Sequence, residues 1–148
     1  MGQSTAQHGY RHSVSVAGVV TDEQGRVLLV RRADNNEWEP PGGVVERDED
    51  LLSALAREVR EESGYRVRPG RLTGVYKNME RGIVALVFRC TGAEGSPHTS
   101  RETTAVRWVA PDELPRLVGE RLRARIDDAL AGGPDVVVRA YEPTRTLH

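Results

Sequence analysis

Cysteine is nearly absent: 148 residues contain one, Cys90. No disulfide can therefore staple the chain internally. Cys90 closes an apolar run, which predicts a buried, inert thiol rather than a nucleophile. Long apolar runs are missing too. The longest clear one, Ile83 to Phe88, is far short of the ~20 residues a membrane-spanning helix needs. Met1 to His12 is polar and has no apolar segment of the secretory kind, so a cytoplasmic protein is expected, with residues 1–12 a flexible arm. Neither sign of charge is in excess: 21 basic residues face 22 acidic ones, for a net charge of −1. That balance offers no electrostatic footprint for a nucleic acid or an anionic membrane, and neither is expected as a partner. The four histidines, His8, His12, His98 and His148, fall at no metal-ligand spacing. No G-x-S-x-G segment and no internal repeat occur.

What is present suits one domain over residues 1–148, since hydrophobic residues at 38% and charged residues at 29% are ordinary for a globular chain. Ser13–Val20 and Arg26–Arg31, joined by Asp22-Glu23-Gln24-Gly25, read as a β-hairpin whose second strand is buried on both faces. Pro40 and Pro41 forbid a long helix or a central strand near Trp38. Asp50 is a good N-cap, a helix is predicted from Leu51 to Ser63, and Gly64 supplies its left-handed C-cap. Strands follow at Arg71–Lys77, Ile83–Cys90 and Thr104–Val109, with a flexible loop over Thr91–Ser100. A second helix is predicted from Asp112 to Ala131, with Pro115 in its first turn, and Val136–Tyr141 forms an edge strand or a docked tail. This order predicts an α/β fold with a mixed β-sheet packed between helices.

The first of those helices carries the informative residues. Glu58, Glu61 and Glu62 stand at i, i+3 and i+4, on one helical face. Leu52, Leu55, Ala56 and Val59 occupy another face suited to a core. A bare run of this kind is ordinarily a solvated acidic surface. Three like charges within a turn repel, however, and a bound divalent cation would offset that repulsion. The surrounding spacing sharpens the reading. Gly43, Glu49, Arg57-Glu58-Val59, Glu61-Glu62 and Gly64-Tyr65 follow the pattern G-x5-E-x7-R-E-U-x-E-E-x-G-U, where U is bulky and apolar. In this the chain resembles the Nudix hydrolases, with every fixed position matched. Trp38-Glu39-Pro40-Pro41-Gly42-Gly43 is similar to the lead-in common before that motif. Asp48 departs from it, standing where a glycine is frequent.

The resemblance implies the Nudix α/β/α sandwich from about Ser13 to Leu130. It implies hydrolysis of a nucleoside diphosphate linked to a further group X, with Mg²⁺ as cofactor and Mn²⁺ as substitute. Glu58 and Glu62 are then the primary metal ligands. Glu61 is a further ligand or the base for the attacking water, and the Gly42 carbonyl is another ligand. Arg57 orients a glutamate, and Glu49 is structural or in the outer shell of the metal. Glu102, ahead of a strand, is a second candidate base or ligand, against the plain alternative of a loop acid. The base thus stays open among Glu61, Glu102 and Glu58. Trp38 and Arg31 are the candidate substrate-binding residues, Trp38 being the best placed of few aromatics to stack on a base. Tyr10, Arg11 and His12 are weaker candidates for a base pocket. A homodimer is expected by family analogy only. The proline of ADP-ribose pyrophosphatases, the tyrosine of dinucleoside polyphosphate hydrolases and the upstream coenzyme A pattern are all missing, which tilts the expected substrate toward a nucleoside triphosphate. Rival readings are a non-catalytic nucleotide sensor and an isopentenyl diphosphate isomerase. The intact motif argues against both, and the placement of Cys90 in a strand further disfavours the isomerase.

Overall fold

The computed structural model describes residues 11–142. Among these residues, eight strands and three α-helices follow one another as β1 (Ser13–Val20), β2 (Val27–Arg32), β3 (Trp38–Glu39), β4 (Gly42–Val44), α1 (Leu51–Ser63), β5 (Tyr65–Asn78), β6 (Ile83–Gly95), β7 (Thr103–Val109), a 3-10 turn (Pro111–Glu113), α2 (Leu114–Leu117), α3 (Glu120–Ala131) and β8 (Val137–Tyr141). They form a five-stranded mixed sheet, β4-β1-β6-β5-β8, and a three-stranded antiparallel sheet, β3-β2-β7. In the larger sheet β1 runs parallel to β6, and β8 runs parallel to β5.

Alternation along the strands divides the core in two. Val16, Val20, Leu28, Phe88 and Cys90 pack with Ala54, Leu55 and Val59 of α1. Val19, Val27, Leu29, Ala85 and Val87 pack with Leu114, Val118, Ile126 and Ala129 on the other side. Successive residues of β2 thus enter opposite clusters, which is what its continuous apolar sequence requires. The result is an α/β fold with helices on both sides of the strands.

Several sequence expectations are corrected. The turn at Asp22 forms, its Oδ1 accepting the Gln24 and Arg26 N–H groups at 3.0 and 2.8 Å. Its flanking strands nevertheless part into different sheets and share only the bridge Thr21–Val27. β5 begins at Tyr65 rather than Arg71, because the register shifts around Pro69 and Gly70 let the strand continue through a pair that reads as a turn. β6 runs on to Gly95, so the expected Thr91–Ser100 loop is half strand. The second helix is broken: Val118 is extended and Gly119 caps a new helix, α3. Apolar periodicity crosses that break because Val118 and Ile126 both enter the core. Leu52 is 49% exposed, leaving Leu55 and Val59 to do the packing. β8 is an edge strand, the first of the two alternatives open for this segment. Cys90 is buried, and burial pushes its thiol up to about 11.

Candidate active site

The Asp50 carboxylate accepts the Ser53 N–H at 2.8 Å, and Gly64, with φ of 88°, closes α1. These caps fix which residues face β4 and the start of β7. Gly42 and Gly43 of β4 lie against the carboxylate face. The Gly42 N–H donates to Glu62 Oε1 at 3.0 Å. An ideal Cβ on Gly43 would stand 2.3 Å from Glu58 Oε2, so the missing side chain is the space that Glu58 fills.

The three carboxylates differ in burial. Glu62 is 9% exposed, Glu58 is half-buried and Glu61 is open to solvent. Burial pushes Glu62 up to about 7, opposed by the Gly42 N–H and reinforced by the charges of Glu58, Glu39 and Glu102. Burial also raises Glu58, with Arg57 opposing and Glu61 and Glu102 adding. Arg57 ties the motif together. Its Nε and one terminal nitrogen grip both oxygens of Glu49, and the other terminal nitrogen reaches Glu58 at 3.3 Å and Glu61 at 3.1 Å. That fork holds Glu49 below the usual carboxylate range, while Glu49 Oε1 accepts the Glu46 N–H at 2.9 Å.

Glu102 is brought into the same region. The Thr103 hydroxyl donates to the Glu62 carbonyl at 2.9 Å, and the Ala33 N–H donates to the Glu102 carbonyl at 2.8 Å. Glu102 lines a cleft of about 790 Å³ with Arg57, Glu61, Glu62 and His98, and a smaller one of about 330 Å³ with Arg32 and Asp34. Glu39 is a residue that sequence reasoning passed over. Burial raises it, while Arg32 at 3.3 Å opposes, and its charge acts on Glu62. The signal available was its place in the lead-in, three residues before Gly42.

Trp38 and Arg31 do meet, as cross-strand partners of β3 and β2. Arg31 and Arg107 each lie 5.7 Å from the Trp38 ring centroid, and Trp38 packs partly into the core. Neither Trp38 nor Arg31 lines the cavity of about 470 Å³ that opens beside Glu39, Gly42 and Gly43. Tyr10 lies outside the described residues, while Arg11 and His12 sit beside the turn at Gly82.

Among the described residues, no group of three or more His, Cys, Asp or Glu side chains is arranged to hold a metal ion. The donor chemistry nonetheless fits a hard divalent cation. Glu58 and Glu62 supply oxygen donors, and their raised proton affinity marks a site where an added positive charge is favoured.

The raised Glu62 makes a stability prediction. Folded Glu62 keeps its proton up to about pH 7, whereas the unfolded chain releases it near 4.5. The folded state therefore binds the extra proton between those values. Stability is fullest below the lower one and falls as pH rises through the upper one, by about 3 kcal/mol. Glu58 and Glu39 act in the same direction. Carboxylates held low by partners, such as Asp128, act below that window. The expected result is a melting temperature, measured without metal, that declines from pH 4.5 to 7, with Mg²⁺ flattening the decline near neutrality. A flat or rising metal-free profile would contradict the burial assigned to Glu62.

Comparison with known proteins gives a consistent picture. The sequence profile of the NUDIX domain matches residues 11–130. A MutT-like protein of Streptomyces ambofaciens is 58% identical over 126 residues, covering 84% of this chain and 82% of that protein. A protein of Bacillus subtilis (strain 168), provisionally named 8-oxo-dGTP diphosphatase, is 32% identical over 122 residues, covering 81% of each. The crystal structure of a NUDIX hydrolase from Nitrosomonas europaea superposes with a TM-score of 0.76 at 25% identity, covering 90% of this chain and 81% of that one. Among the described residues no helix is long and apolar enough to cross a membrane.

Proposed function

The chain belongs to the Nudix family of pyrophosphohydrolases, and from that premise we propose that it hydrolyses a diphosphate bond in a nucleoside diphosphate linked to X, with a nucleoside triphosphate, unmodified or oxidised, as the favoured substrate. The observation that carries this reading is the seating of Glu58 and Glu62 against Gly43 and Gly42, beside a cavity large enough for a nucleotide. The likeness to the Bacillus protein supports the triphosphate.

Glu58 and Glu62 would hold Mg²⁺, or Mn²⁺ in its place, with Glu61 and the Gly42 carbonyl as further donors. When bound, such ions neutralise the phosphates and lower the pKa of a coordinated water. The protein's own contribution is placement. Arg57 fixes the rotamers of Glu49, Glu58 and Glu61 through one planar fork, which a lysine could not do. Gly42 holds Glu62 through its N–H. Glu102, exposed at the cleft, and Glu61, exposed there and paired with Arg57 at 3.1 Å, are the groups placed to take a proton from the attacking water.

The test is a substrate panel with Mg²⁺ and with Mn²⁺. It holds unmodified and oxidised nucleoside triphosphates, nucleotide sugars, ADP-ribose and dinucleoside polyphosphates, with Glu61→Gln beside the native protein. One class should turn over far faster than the rest, with product release lost on chelation and strongly reduced in Glu61→Gln. Nucleotide binding that raises thermal stability without turnover would replace this reading with that of a sensor.

A further inference from the structure

The cavity of about 470 Å³ has a second end, remote in sequence from the carboxylates and built by Asn78, Arg81, Arg121, Arg125 and Tyr141. Arg121 and Arg125 stand one turn apart on α3, which sets two like charges side by side. Both donate to one acceptor, the Tyr141 hydroxyl oxygen, at 2.9 and 3.4 Å. Both also lie over the Tyr141 ring, 4.7 and 5.7 Å from its centroid, and Arg125 is 4.9 Å from the Tyr76 ring centroid. The Arg125 Nε is buried and has no hydrogen-bond partner among the described residues. Burial lowers the pKa of Arg125; the Tyr141 hydroxyl opposes this, and the charge of Arg121 adds to it.

The rest of this wall also has donors to spare. The Asn78 Oδ1 already accepts the N–H groups of Glu80 and Arg81, at 3.1 and 3.0 Å, which leaves its amide nitrogen as the unused group. Arginine has donors and no acceptor. A buried donor left unpaired beside a doubled positive charge is costly, and the aromatic faces only partly offset it.

We propose that this end of the cavity is a subsite for an anionic group, a phosphate or carboxylate, carried by the substrate away from its scissile diphosphate, so that among nucleoside diphosphates linked to X it favours those bearing a further anion that a plain nucleoside triphosphate lacks. The proposal rests on the reading that the Gly42–Gly43 end receives the diphosphate. A neutral acceptor edge, such as that of guanine, would also meet donors. A full negative charge is favoured because charge-assisted hydrogen bonds are roughly twice as strong as neutral ones, and an anion offsets two adjacent cations more fully than the tyrosine hydroxyl and ring faces do.

Binding is measured by calorimetry with no metal added, so that the result does not depend on turnover. The ligands are adenosine 2′,5′-bisphosphate, adenosine 3′,5′-bisphosphate, adenosine 5′-monophosphate and guanosine 5′-monophosphate. At least one bisphosphate should bind about tenfold or more tightly than the adenosine monophosphate. That advantage should fall several-fold in R121Q, whose side chain is exposed, and vanish in R121Q/R125Q. Equal binding of bisphosphates and monophosphate would overturn the subsite. So would an advantage retained in R121Q, or a preference for the guanosine monophosphate with no gain from a second phosphate. A parallel arm follows Mg²⁺-dependent cleavage of NADPH against NADH, which differ by one remote phosphate, with faster cleavage of NADPH expected. Cleavage of both at equal rates removes the subsite alone. Absence of turnover across this pair and the substrate panel removes the hydrolase reading and leaves the binding result standing.

Discussion

Glu62→Gln lowers kcat by about a thousandfold and, in the metal-free protein at pH 8, leaves the melting temperature equal or higher. The two halves of that result come from one cause. Glu62 is buried and pushed up to about 7, so at pH 8 the fold holds a desolvated charge. Glutamine keeps the shape and keeps an oxygen to accept the Gly42 N–H, now at 3.0 Å from Glu62, while removing that charge. The activity half follows from the loss of an ionised ligand: about 4 kcal/mol of charge stabilisation corresponds to about three decades in rate. Glu58→Gln should show the same loss of activity with a smaller stability gain, because Glu58 is less buried and Arg57 already pairs with it at 3.3 Å. The measurement is kcat and the thermal midpoint on the same preparations, with and without Mg²⁺. Added Mg²⁺ should stabilise the native protein and stabilise Glu62→Gln much less. A Glu62→Gln protein that is strongly destabilised yet active would show that this carboxylate serves the fold and not the metal. The pH-dependent decline in stability between 4.5 and 7 should also shrink in this variant to the part contributed by Glu58 and Glu39, linking the two experiments.

The motif was legible in the sequence because its constraints are local. Asp50, Gly64 and the apolar positions of α1 act within a few turns of chain, so caps, bounds and the carboxylate face can be read directly. The i, i+3, i+4 spacing of Glu58, Glu61 and Glu62 says that they share a face. It does not say that Glu62 is buried while Glu61 remains in water. That ranking is set by β4 and β7, which reach α1 through Gly42 and Thr103. The β1–β2 hairpin failed for a related reason. The turn chemistry of Asp22 is real, but the partner of each strand is chosen by long-range packing, and β1 prefers β6 and β4. The Arg121, Arg125 and Tyr141 cluster was illegible because α3 and β8 meet only in the folded chain, and an arginine pair on a helix reads as solvated surface.

The two adjacent glycines before α1 should separate stability from catalysis when each is replaced by alanine. Neither has a positive φ, so backbone strain is not the issue and the space around the missing Cβ decides. On Gly42 a Cβ would stand 2.2 Å from the Val16 carbonyl oxygen and 2.7 Å from the Ala17 Cα. Those are backbone atoms of the adjacent strand β1, which cannot yield without disturbing the β1–β4 pairing. Gly42→Ala should therefore destabilise by about 3 kcal/mol, in the range of overpacking in a well-packed core. On Gly43 the obstructing atoms are the two oxygens and the carboxyl carbon of Glu58, at 2.3 to 2.7 Å. A carboxylate at the end of a flexible side chain can rotate away at small cost to the fold. Rotation, however, moves Glu58 from β4 and breaks the alignment set by Arg57. Gly43→Ala should thus melt within a few degrees of the native protein and lose about a hundredfold or more in kcat, since an ångström of misplacement at a reacting centre costs that much. Chemical denaturation and steady-state kinetics on both variants provide the check. A Gly43→Ala protein with native activity would mean that Glu58 works from a rotamer other than the one seated against this glycine.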